Sequence, residues 1–220
     1  MDLINQNKEK FDIYFHFLVE ENKKYNLTAI TEEKDVYIKH FYDSLLLGKV
    51  IDLNQKIKIC DVGSGAGFPG IPLLICYPNI ELTIIEPTQK RVKFLQMLCG
   101  KLNLNVRIIN GRAEDNANAF EEEFDIVTAR AVAETNILLE LLVKICKTGG
   151  KIALYKGDKA NEELINARHA LEELYLKVDS INHFDLEEGY GSRNIVVFNK
   201  TKKTSNKYPR RYAEIVRKPL

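Results

Sequence analysis

A glycine-rich segment, Asp61-Val-Gly-Ser-Gly-Ala-Gly-Phe-Pro-Gly70, constrains the fold of this chain more than any other feature. It follows a β-like run at residues 57–60 and precedes an apolar stretch at residues 71–76. That order predicts a strand, a tight turn and a helix, and glycine lets a ligand approach turn amides that a Cβ would block. Glu86 closes the next apolar run, where a βαβ nucleotide fold places its ribose-binding carboxylate. The segment therefore predicts a site for an adenosine-containing cofactor.

The kind of cofactor depends on Asp61, because the glycine spacing alone also fits a dinucleotide turn. A carboxylate at the mouth of the turn is poorly placed beside a pyrophosphate. It suits a cationic ligand such as S-adenosylmethionine, which carries a sulfonium and an ammonium group. The alternative is that Asp61 only accepts hydrogen bonds from the turn amides. We favour S-adenosylmethionine, and the residues assigned to it here are Asp61, Gly63, Gly65, Gly67 and Glu86.

Strand-like and helix-like runs alternate from residue 57 onwards, which predicts a mostly parallel, doubly wound α/β sheet. Residues 185–193 are too short a connection for a crossover helix, so the last two strands should form an antiparallel hairpin. A seven-stranded, Rossmann-like sheet that ends in such a hairpin is typical of class I S-adenosylmethionine-dependent methyltransferases. The strand candidates are 57–62, 81–86, 105–110, 124–129, 150–156, 177–184 and 194–199, and the helix candidates are 69–77, 88–103, 113–120, 134–147 and 159–176.

The residues before the glycine turn show a different pattern. Apolar side chains recur there at helical spacing, for example at Phe11, Phe15 and Leu18. We therefore expect an N-terminal helical extension at residues 1–50, followed by a methyltransferase domain at residues 51–220.

Composition limits the class of protein further. Charged residues interrupt the N-terminus and no apolar run approaches about 18 residues, so we expect no signal peptide, no membrane span and a cytoplasmic location. The four cysteines form no Cys-x-x-Cys pair and the four histidines are scattered along the chain. Reduced thiols and the absence of a metal site are the corresponding expectations.

Basic residues are concentrated at the end of the chain. The basic tail, residues 200–220, has eight lysines and arginines against one acid, Glu214, although the whole chain has a net charge of only +1. A basic tail on an acidic body predicts a polyanionic partner, and the alternative is a solvated tail that only aids solubility. The basic residues are Lys200, Lys202, Lys203, Lys207, Arg210, Arg211, Arg217 and Lys218.

Three further strand ends are candidates for the same site, because open α/β sheets bind ligands at the carboxyl ends of their strands. One of them is Tyr155-Lys156-Gly157, at the end of the fifth strand candidate. Ala113 and Glu114 follow the third strand candidate, where such folds contact the adenine edge. Glu114 has a second interpretation as an acid that stabilises the start of a helix. Arg130 follows the fourth strand candidate and should face the cleft, and its alternative role is a structural salt bridge to Asp61 or Glu114.

Several segments together form a more specific pattern. They are His40-Phe-x-Asp43-Ser44-Leu45, Asp61 to Gly70, Lys90-Arg91-x-x-Phe94-Leu95, Arg112-Ala-Glu114, Ala129-Arg130-Ala-Val-Ala133 and Tyr208-Pro-Arg-Arg211 with Lys218-Pro-Leu220. The chain resembles the family of small-subunit ribosomal RNA methyltransferases known as RsmG or GidB. The resemblance runs from about Tyr25 to the C-terminus.

The resemblance implies methyl transfer to N7 of one guanine in 16S ribosomal RNA, with 16S RNA or a 30S particle as the partner and a monomeric enzyme. It maps cofactor contacts onto Gly63, Phe68, Ala113, Glu114 and Arg130. Guanine N7 has a free lone pair, so Arg130 would be catalytic by holding a carboxylate, the guanine O6 or a phosphate rather than by proton transfer. The expected RNA contacts are Lys207, Arg210, Arg211 and Arg193, and the candidates for stacking on the guanine are Tyr190 and Phe68.

Three other functions remain open from the residues alone. A nicotinamide-dependent oxidoreductase would need a placed histidine or a Tyr-Lys pair at a hydride site, and none is evident. A methyltransferase for a small molecule is disfavoured by the basic tail. A non-catalytic RNA-binding module could retain the cofactor fold without transferring a methyl group.

Overall fold

The computed structural model describes residues 1–187 and 189–220 of the chain. Its strands are β1 (Ile57–Val62), β2 (Ile80–Glu86), β3 (Arg107–Asn110), β4 (Phe124–Arg130), β5 (Cys146–Lys156), β6 (Leu176–Asp185) and β7 (Ser192–Lys200). Within this described part of the chain they form one seven-stranded sheet in the order β3-β2-β1-β4-β5-β7-β6.

The strand pairing confirms the predicted fold class. β1 pairs in parallel with β2 and β4, and the pairs β2–β3 and β4–β5 are also parallel. β7 is antiparallel to both β5 and β6, which gives the expected terminal hairpin. Because parallel strands end at a common edge, Val62, Glu86, Asn110, Arg130 and Lys156 all lie at the carboxyl edge of the sheet.

Helices cover both faces of this sheet. The α-helices are α1 (Asp2–Gln6), α2 (Lys8–Tyr25), α3 (Glu33–Val36), α4 (Asp43–Leu45), α5 (Gly70–Cys76), α6 (Gln89–Leu102), α7 (Ala113–Asn116), α8 (Thr135–Val143), α9 (Ala160–Asn166), α10 (Arg168–Glu173) and α11 (Tyr212–Arg217). A π-helical turn, Tyr37–Tyr42, leads into α4, and a 3-10 turn, Leu46–Lys49, follows it.

Two hydrophobic cores flank the sheet. On one face, the N-terminal helices share a core with α5 and α6 that includes Phe11, Phe41 and Phe94. On the other face, α8, α9 and α10 share a core with Tyr208 and Ile215 from the end of the chain. The N-terminal helices thus bury their apolar side chains in the same core as the sheet, and the domain division at residue 50 stays a prediction.

Two predicted helices, 69–77 and 88–103, are one residue shorter at each end in the structure, and the other three differ more, each for a local reason. The helix expected at 113–120 ends at Asn116, whose side chain donates a 2.8 Å hydrogen bond to the Arg112 carbonyl. The helix expected at 134–147 ends at Val143, because Cys146 already pairs with Phe124 as part of β5. The helix expected at 159–176 is divided at Ala167 into α9 and α10.

Candidate active site

The glycine turn between β1 and α5 has the backbone geometry that the sequence predicted. Gly65 has a φ of +61° and Gly67 a φ of +103°, backbone angles that residues with a Cβ rarely adopt. A Cβ on Gly67 would lie 2.6 Å from the Tyr14 hydroxyl, whereas one on Gly65 would meet no atom within 4 Å. Gly65 therefore borders open space at the carboxyl edge of the sheet.

Asp61 is fully buried under this turn. Its Oδ2 accepts a 2.8 Å hydrogen bond from the Gly70 amide, as the alternative interpretation expected. Its Oδ1 and the Ser64 hydroxyl are buried and have no hydrogen-bond partner among residues 1–187 and 189–220. Burial raises the pKa of Asp61 to about 6, and two neighbouring groups that favour the carboxylate, first the Ser64 side chain and then the Gly70 amide, offset this only in part. Two unpartnered oxygen atoms under a glycine turn leave capacity for a polar ligand.

Glu86, at the end of β2, links the glycine turn to the next loop. Its Oε2 accepts a 2.9 Å hydrogen bond from the Gly65 amide, and its Oε1 accepts one of 2.9 Å from the Thr88 amide. The side chain is buried, with Arg91 Nη1 at 3.8 Å from Oε1. A carboxylate has about four lone-pair sites, so Glu86 retains acceptor capacity for a ribose hydroxyl.

The predicted adenine-side residues lie beside Glu86. The Gly111 amide donates a 3.2 Å hydrogen bond to the Glu86 carbonyl, and this fixes the start of α7 next to the end of β2. Ala113 is buried, and the Glu114 carboxylate lies 3.8 Å from Arg112 Nη1. The position of Glu114 in the first turn of α7 is compatible with both of its proposed roles.

Arg130 forms a salt bridge, but its partner is neither Asp61 nor Glu114. Its Nη1 donates a 2.7 Å hydrogen bond to Oδ2 of Asp43, a fully buried carboxylate from α4. The other oxygen of Asp43 accepts a 2.6 Å hydrogen bond from Nε of Arg193, at the start of β7. Asp43 therefore joins the N-terminal helices to the ends of two strands, and sequence analysis gave it no role beyond its place in a motif.

Phe68, another predicted cofactor residue, is buried in an aromatic cluster rather than exposed in the cleft. Its ring stacks on Tyr14 and His40 at centroid distances of 5.4 and 4.5 Å, and the Arg130 guanidinium lies 5.0 Å from its centroid. Burial, together with the positive charge of Arg130, lowers the pKa of His40 to about 4. His40 is therefore neutral at pH 7. Through its contacts with Tyr14 and His40, Phe68 attaches the glycine turn to the N-terminal helices.

The loop after Arg130 is held by Lys156, a buried lysine at one of the strand ends that the sequence singled out without assigning it a role. Lys156 Nζ donates hydrogen bonds of 2.8 Å to the Ala133 carbonyl and 2.7 Å to Oε2 of Glu163. The same Glu163 oxygen accepts the Thr135 amide at 2.9 Å. These contacts fix the loop over the glycine turn, where a Cβ on Gly63 would lie 2.8 Å from a Val132 methyl group. The only sequence signal for Lys156 was its position at the end of a strand.

The basic tail folds back onto the domain. Lys207 forms a salt bridge with Glu173, and Arg210 binds Glu140 with an Nη2–Oε2 distance of 2.6 Å. Tyr208 is buried in the second core. Lys207, Arg210 and Arg193 each have an acidic partner within the chain, while Arg211 is exposed, so the RNA contacts of these four residues stay predictions.

The described part of the chain lacks two other features. No helix within residues 1–187 and 189–220 is long and apolar enough to cross a membrane. Over the same residues, no cluster of three or more His, Cys, Asp or Glu side chains is arranged to hold a metal ion.

Comparison with known proteins now adds to this geometry. Residues 7–196 match the model of the GidB family, described as rRNA small subunit methyltransferase G. The chain belongs to this family. It is 47% identical to ribosomal RNA small subunit methyltransferase G from Streptococcus pyogenes serotype M12, over 99% of this chain and 93% of that protein. It is 43% identical to the protein of the same name from Ligilactobacillus salivarius, over 100% of this chain and 94% of that protein.

Solved structures confirm the fold class independently. TYW2 from M. jannaschii, solved in complex with AdoMet, superimposes with a TM-score of 0.57 and 20% identity, over 72% of this chain and 76% of that one. Precorrin-6y C5,15-methyltransferase from Geobacter metallireducens gives a TM-score of 0.56 and 16% identity, over 72% and 86%. The predicted family and the predicted class I methyltransferase fold are thus both confirmed.

Proposed function

We propose that this chain transfers a methyl group from S-adenosylmethionine to N7 of a guanine in 16S ribosomal RNA. The observation that carries the proposal is the glycine turn at the carboxyl edge of the sheet. At this turn the buried carboxylates of Asp61 and Glu86 accept hydrogen bonds from the amides of Gly70 and Gly65. The chain also belongs to the rRNA small subunit methyltransferase G family. The relatives named ribosomal RNA small subunit methyltransferase G support the assignment of ribosomal RNA as the substrate.

The residues present fit this cofactor. Open space beside Gly65 and the unpartnered Oδ1 of Asp61 suit the methionine end, and Glu86 suits the ribose hydroxyls. We assign the adenine edge to Ala113 and Glu114, which follow β3 beside Glu86. Two buried carboxylates also favour a cationic ligand over an anionic one. When bound, S-adenosylmethionine supplies an electrophilic methyl group on a sulfonium.

The chain's own contribution to catalysis is positioning. Guanine N7 carries a lone pair and no proton, so the reaction needs no general base, and we assign no proton transfer to His40, which is half-buried and neutral at pH 7. Correct alignment of two reactants lowers the barrier by up to about 7–11 kcal/mol. We assign this alignment to Arg130 and the loop after it, which Asp43, Lys156 and Glu163 hold in place.

The proposal includes a cellular setting and an organisation of the chain. We infer a monomer that acts in the cytoplasm on 16S RNA or a 30S particle without a metal ion. Residues 1–50 serve as a helical extension of a methyltransferase domain at residues 51–220. Support comes from the reaction chemistry, which requires neither a metal nor a second active site.

Mass spectrometry of ribosomal RNA is the direct test. RNA from cells with the gene should contain a 7-methylguanosine in 16S RNA that is missing after deletion and is restored by the wild-type chain, but not by a Gly65→Val variant. An unchanged 7-methylguanosine content after deletion contradicts the proposal. Binding of S-adenosylhomocysteine without any methyl transfer would favour the non-catalytic RNA-binding module, and stabilisation by NADH instead would favour the oxidoreductase.

A further inference from the structure

The end of the chain returns to the edge of the sheet that carries the cofactor site. β7 ends at the opposite edge, where Lys200 Nζ donates a 2.8 Å hydrogen bond to the carbonyl of Cys146, the first residue of β5. At the very end of the chain, the Leu220 carbonyl accepts a 3.4 Å hydrogen bond from Asn136, in the first turn of α8. The segment between them therefore crosses the full height of the sheet along α8.

Buried contacts attach this segment to the domain and occupy one of its cations, Arg210. Arg210 donates to Glu140 through Nε at 2.8 Å, through Nη2 at 2.6 Å and through its backbone amide at 2.9 Å. Glu140 and Ile215 are fully buried, and the Tyr208 hydroxyl donates a 3.0 Å hydrogen bond to Glu173. These contacts make Arg210 an anchor of the segment rather than a group free to bind RNA.

A different set of side chains from this segment faces outward. Tyr212 and Val216 lie one helical turn apart on α11 and are 39% and 46% exposed. The guanidinium of Arg112 lies 5.1 Å from the centroid of the Tyr212 ring. Arg211 and Arg217 flank the pair and are also exposed. We call these five residues, Arg112, Arg211, Tyr212, Val216 and Arg217, the C-terminal platform.

The C-terminal platform borders the adenine side of the proposed cofactor site. Arg112 follows Gly111, whose amide is hydrogen-bonded to the Glu86 carbonyl, and it precedes the predicted adenine-side residues Ala113 and Glu114. The platform is therefore continuous with the cofactor end of the cleft. Its acidic neighbours are Glu114, 3.8 Å from Arg112, and Glu214 on α11, so its arginines outnumber them.

An exposed aromatic ring among guanidinium groups is the arrangement that binds single-stranded nucleic acid. A base stacks on the ring, and the arginines bind phosphates or stack in turn. Two exposed apolar side chains are too small a surface for a stable protein interface. Building on the proposed function, we propose that the C-terminal platform binds single-stranded RNA that flanks the target guanine and runs past the adenine side of the cleft, with one base stacked on Tyr212.

The test compares Tyr212→Ala with a matched control elsewhere on the surface. Tyr175 is 42% exposed and also has a cation over its ring, Lys202 Nζ at 4.8 Å, but it lies beside the start of β6, at the far edge of the sheet. RNA affinity is measured with a fluorescent 16S fragment in the presence of S-adenosylhomocysteine. We expect Tyr212→Ala to weaken RNA binding about ten-fold, and Tyr212→Phe and Tyr175→Ala to retain it.

A second variant separates charge from stacking. Replacing Arg211 and Arg217 together by glutamine should reduce the slope of log affinity against log salt by about 0.7 for each lost phosphate contact. The melting temperature and S-adenosylhomocysteine affinity of all these variants should equal those of the wild type. RNA affinity and salt slope equal to wild type in both variants would overturn the proposal. A concentration-dependent dimer that Tyr212→Ala abolishes would overturn it in favour of self-association.

The proposed function can fail separately. If the wild type binds the fragment through Tyr212 but transfers no methyl group, the C-terminal platform stands and the proposed reaction does not. If the wild type methylates RNA and Tyr212→Ala does so with an unchanged KM for RNA, the reaction stands and the platform does not.

Discussion

Asp43→Asn is the perturbation whose effect follows most directly from the structure. Asp43 is fully buried and accepts hydrogen bonds from Arg130 at 2.7 Å and from Arg193 at 2.6 Å. An asparagine keeps the size of the side chain but removes the charge. Because the two arginines bind different oxygens of Asp43, the NH2 donor of asparagine would face one of the two guanidinium groups. The variant therefore leaves the Arg130 charge buried without a counter-ion.

The expected cost depends on how much water can screen each arginine. Removing one partner of a buried ion pair costs about 3–5 kcal/mol. The Arg130 side chain is only 9% exposed, but that of Arg193 is 23% exposed and partly solvated, so we expect the lower end of this range. A loss of about 3 kcal/mol corresponds to a melting temperature lower by roughly 6–12 °C for a chain of this size.

Urea denaturation of the wild type and the variant measures this cost. The matched control is Glu81→Gln, which removes an exposed ion pair with Lys56 and should cost less than about 1 kcal/mol. A double-mutant cycle with Arg130→Met should show a coupling energy of about 0.5–3 kcal/mol. If Asp43→Asn were as stable as Glu81→Gln, or if the cycle showed no coupling, our account of a buried charge that needs this carboxylate would be refuted.

Three other variants test separate parts of the structure. Gly65→Val should stay folded but lose S-adenosylhomocysteine binding in calorimetry, because valine is strained at a φ of +61° and fills the open space beside the turn. Glu140→Gln should make the chain sensitive to trypsin near Arg210 without changing its cofactor affinity, because it removes the buried partner of Arg210. The control is Glu173→Gln, which alters an exposed pair with Lys207 and should not increase trypsin sensitivity. Equal sensitivity of the two variants would contradict the anchoring role of Arg210. Burial raises the pKa of Asp61 to about 6, above about 3.9 in the unfolded chain, so its contribution to stability is full below pH 4 and lost as the pH rises through 6. Asp61→Asn should therefore gain roughly 2–3 kcal/mol of unfolding free energy relative to wild type between pH 4 and pH 7, and a pH-independent difference would contradict this pKa.

The sequence was sufficient to predict the sheet because each element leaves a local signal. Apolar runs bounded by turns predicted β1 at its observed bounds, and the short connection before residue 194 predicted the terminal hairpin. The glycine turn with Asp61 and Glu86 was predicted for the same reason, since three local segments define it. The division of the last long helix at Ala167 leaves no Gly or Pro signal, and the periodicity passes through it.

The ion pairs around the site could not be predicted in this way. Asp43 is 87 residues from Arg130 and 150 residues from Arg193 along the chain, and only the folded sheet brings the three together. Charge counting likewise identified a basic tail but not its acidic partners. Glu140 and Glu173 stand on separate helices, so nothing in the local sequence indicates that they pair with Arg210 and Lys207.

Each end of the chain is attached beside the cleft by a buried ion pair, and the two ion pairs lie on opposite faces of the sheet. On the first face, Asp43 from the N-terminal helices binds Arg130, at the end of the strand next to the glycine turn. On the second face, Glu140 binds Arg210 and so fixes the segment that ends beside α8. A methyl transfer that needs no acid or base depends on alignment alone. Buried ion pairs at both ends of the chain supply rigidity where that alignment requires it, and they leave the exposed arginines near Tyr212 available for the RNA.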